Sequence, residues 1–339
     1  MIREAIQALA KKQDLPYTTA EAVMHEIMTG TASPVQMSAY LTALSLKGET
    51  IDEITASASA MRAHCVRLLH DVDALEIVGS GGDHANTYNI STTAAIITAA
   101  AGVPVAKHGN RSASSLCGAA DVLEALGVNI NIPPEKGATM LRDIGICFMF
   151  AQNYHIAMKF VAPIRRELGI RTVFNIIGPL TNPAGAQMEL LGVYDRDLVE
   201  PLAQVLCNLN IKSAMVVHGA DGLDEISLSA PTFVCEVKDG WVRSYTLTPE
   251  QFGLARCTKA DLTGGTPAEN AAMLTAILQG ERGPKRDAAV LNAAAALFIA
   301  GKHENLEAAV AAAQHTLDSG AAWQKLQDFV RVSNEGSPA

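Results

Sequence analysis

The sequence predicts an α/β protein with a helical segment at its head. Three observations carry this. From about residue 74, short apolar runs alternate with helical stretches, as in strands joined by crossover helices. The first seventy residues read as a series of short helices. The 339 residues leave room for about two domains of ~150 residues each.

In the helical segment, Thr18-x-x-Glu21 and Thr50-x-x-Glu53 fit the capping box, in which each side chain satisfies a first-turn amide of the other residue. Ser33-Pro34 places a cap before a proline at the first helical position, and Gly30 and Gly48 fit helix stops. Leu75–Val78 then reads as a strand, Thr92–Ala101 as a helix and Val103–Ala106 as a buried strand. Asp121–Leu126 reads as a helix. Val128–Ile132 and Ile146–Phe150 read as strands flanking a helix that starts near Pro134. Tyr154–Leu168 reads as a helix, and Asn175–Pro183 as a Pro/Gly-rich turn region that could rejoin the helical segment and make that domain discontinuous. Gln187–Tyr194, Ala214–His218, Thr232–Lys238 and Trp241–Leu247 complete the strands; Asp239-Gly240 is a hairpin turn between the last two. From Pro267 to Val332 the chain is helical and alanine-rich.

The composition excludes several function classes. Net charge is −9 and aromatic residues make up 5%, which argues against a non-specific nucleic-acid or anionic-membrane binder. Six scattered cysteines (65, 117, 147, 207, 235, 257) include no C-x-x-C pair, so neither a disulfide framework nor a zinc site is expected. The apolar runs Thr92–Ala106 and Ala288–Ala300 fall short of the ~20 residues of a spanning helix, and the N-terminus lacks an apolar signal core. A cytoplasmic protein is expected.

Five segments carry chemistry. Gly79-Ser80-Gly81-Gly82-Asp83 follows a strand; its glycines can turn backbone amides toward phosphate oxygens, or simply make a tight turn. Asn89-Ile90-Ser91-Thr92 opens a helix shortly after, with residues suited to capping or to phosphate. Lys107-His108-Gly109-Asn110-Arg111-Ser112-Ala113-Ser114-Ser115 concentrates positive charge and hydrogen-bond donors in an acidic chain, which points to a polyanion site. Asp221-Gly222-Leu223-Asp224-Glu225 follows a strand with carboxylates suited to Mg²⁺, or to a solvated turn. Tyr154-His155 with Arg165-Arg166 could present a guanidinium to a small carboxylate. His25, His64, His70, His84, His303 and His315 lack supporting context.

With these segments in view, the chain resembles the anthranilate phosphoribosyltransferase family of tryptophan biosynthesis. The likeness runs in order through GSGGD (79–83), NIST (89–92), KHGNRSASS (107–115), ADVLEALG (120–127), HIAMK (155–159), PIRRELGIRT (163–172), NIIGPLTNPA (175–184) and HG…GLDEIS (218–227). It implies a small all-helical domain (1–70 plus about 160–185) hinged to a larger α/β domain (74–159 plus 186–339) with a central, mostly parallel sheet of the nucleoside-phosphorylase type. It implies that phosphoribosyl pyrophosphate and anthranilate give N-(5-phosphoribosyl)anthranilate and pyrophosphate, with Mg²⁺.

By resemblance, Gly79, Gly82, Asp83, Thr87, Asn89, Ile90, Ser91, Thr92 and Lys107, His108, Gly109, Asn110, Arg111, Ser112, Ala113, Ser114, Ser115 and Ala119 line the phosphoribosyl pyrophosphate site. Gly79, Asn110, Arg165, His108 and His155 hold anthranilate or line its path, and Ser91, Asp224 and Glu225 bind Mg²⁺. His108 is the one candidate for proton transfer. The chain departs from the family at Ser80, Leu116, Ile156 and Ala119, the last removing a hydroxyl contact to the phosphoribosyl group. The resemblance further implies a homodimer through the helical domains, with association to anthranilate synthase left open. A pyrimidine nucleoside phosphorylase of the same fold would not need paired metal carboxylates, and a nucleic-acid-binding paralogue would need a basic stripe.

Overall fold

The structure is a computed structural model that describes residues 1–112 and 115–336. Ala113 and Ser114 lie outside the described residues. Four helices come first: α1 (Ile2–Leu9), α2 (Tyr17–Met28), α3 (Pro34–Lys47) and α4 (Ile51–Ala63). The Ser33 and Thr50 capping boxes form as expected, and Gly48 caps α3. The Thr18–Glu21 box does not form. Helix α2 starts two residues earlier than that box requires, with Pro16 as its N-cap, and Glu21 instead accepts from the Tyr17 hydroxyl.

The sheet is built from β1 (Leu75–Gly79), β2 (Val105–Gly109), β3 (Ile146–Phe150), β4 (Met188–Gly192), β5 (Ser213–Gly219), β6 (Thr232–Lys238) and β7 (Trp241–Leu247). Between β1 and β4 lie α5 (Ile90–Ala100), α6 (Ala119–Ala125), α7 (Pro134–Asp143), α8 (Ala151–Tyr154), α9 (Ala162–Leu168) and α10 (Phe174–Ile177). Helix α11 (Val199–Asn208) precedes β5, and α12 (Pro267–Leu278), α13 (Pro284–Ile299), α14 (Leu306–Asp318) and α15 (Ala321–Asn334) end the chain. Strand order is β3-β2-β1-β4-β5-β6-β7, with the first five parallel and β6–β7 an antiparallel hairpin. Asp239 and Gly240 both take positive φ at the hairpin turn, which matches strand twist in a two-residue loop.

Two expectations fail. Val128–Ile132 is no strand: Val128 and Ile130 point into the core, but no neighbouring strand offers a ladder. Tyr154–Leu168 is not one helix. It breaks into the end of α8, a 3-10 turn (Ile156–Phe160) and α9, whose first turn holds Pro163, a residue that an uninterrupted helix would not accommodate in its interior.

Alternate side chains of the strands point to opposite faces. Leu190, Met215 and Val217 join the core beneath α5 and α13, while Leu191, Val193, Ala214 and Val216 join the core under α11. The second core continues into α1–α4 and takes in Val161, Ile164, Val173, Phe174, Ile177 and Leu180.

The order reverses between β1 and β4. Ligand crevices of open α/β sheets form outside the strand carboxyl ends at such a point. Here β1, β2, β4 and β5 all end in glycine, at Gly79, Gly109, Gly192 and Gly219.

Candidate active site

The acidic segment enters the crevice between the ends of β1 and β4. A Cβ on Gly79 would lie 2.5 Å from Asp224 Oδ2, and one on Gly192 would lie 1.7 Å from the Asp224 carbonyl oxygen. These glycines are therefore required by close approach. Asp224 accepts from the Gly81 amide (2.7 Å), and Glu225 accepts from the Ser91 amide (3.1 Å). The acidic pair is thus bonded to both donor-rich turns. Asp221 is not part of it: its carboxylate accepts from Ser227 (2.9 Å) and Ser229 and holds the loop shut.

Asp224 and Glu225 are buried. Burial, with Asp83 and Glu225 nearby, pushes the Asp224 carboxyl well above its usual range. Burial likewise raises Glu225 to about 7, against the pull of Lys107. Hard oxygen donors held together at this cost fit a divalent cation. Among the described residues no group of three or more His, Cys, Asp and Glu side chains is placed to hold a metal ion.

The GSGGD loop turns through positive φ at Gly81, Gly82, His84 and Asn86. Ser80 ties it to β4, its amide donating to the Gly192 carbonyl (2.8 Å) and its Oγ accepting from the Tyr194 amide (3.1 Å). Arg171, stacked 3.9 Å over the Tyr194 ring, donates to the Gly82 carbonyl (2.7 Å). Asp83 accepts from the Ala85 amide, and Thr87 bridges Thr263. Helix α5 then starts at Ile90, whose side chain is buried in the core. Thr92 Oγ1 is buried and has no partner among the described residues.

Lys107 lies buried beneath these turns. Its Nζ donates to the Ile77 carbonyl (2.6 Å) and reaches Ser91 Oγ (3.4 Å). Burial lowers its pKa, opposed by the charges of Glu76 and Glu225. Glu76, in β1, accepts from the His108 amide (2.9 Å) and from Asn182, which also donates to the Ala106 carbonyl (2.8 Å). Burial lifts the Glu76 carboxyl to about 8.

His108 and His155 meet with ring centroids 5.0 Å apart, and each buried Nε2 lacks a partner among the described residues. Burial lowers His108 well below its usual range and takes His155 to about 4, so both rings are neutral near neutral pH.

Three residues assigned to the substrates from sequence stand apart from this network. Arg111 is turned onto α6, pairing with Asp121 (2.9 Å) and Glu124 (2.5 Å). The Arg165 guanidinium, on α9, makes no hydrogen bond or ion pair among the described residues and lies 5.4 Å from the Phe174 ring centre. Asn110 Oδ1 accepts from the Arg111 amide and from Gln152. Ser112 and Ser115 face each other (Oγ–Oγ 3.0 Å), and Gly109 abuts Phe148 and Ala119, where a larger residue would collide. Leu116 and Ile156 are exposed. Sequence reading missed Glu76, Asn182 and Arg171. A lone charge inside the apolar strand Leu75–Gly79 was the available signal for the first.

A family model described as the glycosyl transferase family, a/b domain, matches residues 71–323, and one described as the helical bundle domain of that family matches residues 3–65. The chain is thus a glycosyl transferase in class. Anthranilate phosphoribosyltransferase of Methanobrevibacter smithii is 61% identical over 98% of this chain and 100% of its own. The crystal structure of the Thermus thermophilus enzyme of that name shares 45% identity and a TM-score of 0.93, over 97% of this chain and 99% of its own. The Saccharomyces cerevisiae enzyme in complex with phosphoribosyl pyrophosphate and Mg shares 27% identity and a TM-score of 0.91, over 98% of both chains. The chain belongs to the anthranilate phosphoribosyltransferase family.

Proposed function

We propose that the chain transfers the phosphoribosyl group of phosphoribosyl pyrophosphate to the amine of anthranilate, releasing pyrophosphate. The observation that carries this is the bonding of Asp224 to the Gly81 amide and of Glu225 to the Ser91 amide, which joins an acidic pair to two phosphate-suited turns. Asp224 and Glu225, with Ser91, would hold Mg²⁺, which when bound supplies charge neutralisation to the pyrophosphate.

As the C1–pyrophosphate bond breaks, positive charge grows on the ribose and negative charge on the departing group. The Gly81 and Ser91 amides hold Asp224 and Glu225 in place for the cation, and the Gly82 amide and the Thr92 amide of the first turn of α5 face that negative charge. Lys107 and the 109–115 loop fix the phosphorylated ribose. Arg165 orients the anthranilate carboxylate so that its amine meets C1, and most of the acceleration comes from this positioning. The neutral amine attacks and then loses a proton, for which neutral His108 is the candidate acceptor.

Residues 1–70 plus about 160–185 form the helical lobe in this reading, and 74–159 plus 186–339 the α/β lobe. The protein works in the cytoplasm as a homodimer through the helical lobes, where Val35 and Leu46 of α3 are exposed. Among the described residues no helix is long and apolar enough to cross a membrane.

Asp224→Asn with Glu225→Gln tests the reading. Abolition of Mg²⁺-dependent turnover in the folded double variant supports it; full activity at low Mg²⁺ would reduce the acidic segment to a turn.

A further inference from the structure

Asn89 is the N-cap residue of helix α5, and asparagine at that position ordinarily caps a helix by turning its side-chain oxygen onto the first-turn amides. Here Asn89 makes no side-chain cap bond. Its Oδ1 accepts from Asn270 Nδ2 (2.9 Å) and from the Cys117 thiol (3.4 Å), and its Nδ2 donates to the Cys117 carbonyl (3.2 Å). A side-chain carbonyl has two lone pairs, and both are taken.

Asn270 is in turn fixed. It is buried in α12, 181 residues from Asn89 in sequence, and its Oδ1 accepts from the Gly265 amide (2.6 Å). That donor sets the amide orientation, so Nδ2 must face Asn89. Helix α12 packs on both α5 and α6.

We propose that Asn270 is a positioning residue for the diphosphate end of phosphoribosyl pyrophosphate: it draws Asn89 away from the cap, leaving the Thr92 amide, next to the Ser91 amide that Glu225 holds, open to phosphate, and anchoring Cys117, after the KHGNRSASS loop, to that helix. The inference rests on the reading of 89–92 as part of the phosphate site. Without Asn270 as donor, Asn89 Oδ1 is free to rotate onto the first turn and compete with the substrate for the Thr92 amide.

The test is a double-mutant cycle read in the KM for phosphoribosyl pyrophosphate. Asn270→Asp keeps the acceptor for Gly265 and removes the donor to Asn89. It is expected to raise that KM about tenfold, as loss of about one hydrogen bond's discrimination, with anthranilate KM within about twofold of the parent. In an Asn89→Ala background the same change is expected to have less than about a twofold further effect, because the residue acts through Asn89. The same factor in both backgrounds, or none in the parent, overturns the inference. Failure of pyrophosphate with Mg²⁺ to bind the parent protein instead overturns the reading of the phosphate site. Calorimetric titration with pyrophosphate and Mg²⁺ follows the same cycle without turnover, and Asn270→Ala replaces Asn270→Asp should the buried aspartate prevent folding.

Discussion

Arg165 carries a charge that burial opposes, lowering its pKa, and no carboxylate among the described residues answers it. A guanidinium left over an aromatic ring has its donors available for a bidentate carboxylate. Arg165→Ala is expected to raise anthranilate KM by about ten- to a hundredfold, the range of a charged hydrogen bond, while sparing phosphoribosyl pyrophosphate. Equal loss for both substrates in steady-state kinetics would remove the role. Glu189 is the opposite case, a buried carboxyl with Oε1 unpartnered, raised to about 8 by burial against the nearby Arg62 charge. In the folded state it keeps its proton where the unfolded chain has lost it, so folding stability falls as pH climbs from about 5 to about 8. Each unit in that window costs up to ~1.4 kcal/mol. Glu189→Gln is expected to leave the melting temperature near pH 5 little changed and to raise it near pH 8. Parallel melting curves at both pH values would contradict this.

At the scale of elements, the ends of β1 and β4 shape the site by omission. Gly192→Ala would force the Asp224 backbone out of the crevice. It is expected to cost roughly 1–3 kcal/mol in thermal unfolding and to weaken Mg²⁺ activation more than anthranilate binding. An unaltered Mg²⁺ titration would mean the acidic segment is free to relocate. The strands were legible because Ile146–Phe150, Thr232–Lys238 and Trp241–Leu247 are short apolar or alternating runs with clear turn signals. Val128–Ile132 misled because a buried apolar run looks the same with or without a neighbour to pair with. The site's segments were legible as local clusters of glycines, donors and charges. Their joints were not: Gly81 meets Asp224 across 143 residues and Glu76 meets Asn182 across 106, and no local pattern encodes such pairings.

At the scale of the molecule, an acidic chain serves a polyanionic substrate. The net −9 is spread over the chain, while Lys107 and the backbone amides concentrate the opposite tendency at the carboxyl ends of the central strands. The proposed homodimer is checked by sedimentation equilibrium, where a concentration-independent dimer is expected and a monomer would set it aside. The central claim is that one crevice brings together a diphosphate leaving group and an aromatic amine. Anthranilate fluorescence tests it most directly. The account expects the signal to fall on addition of enzyme only when phosphoribosyl pyrophosphate and Mg²⁺ are both present. A signal unchanged with both, or one that falls without phosphoribosyl pyrophosphate, would contradict it.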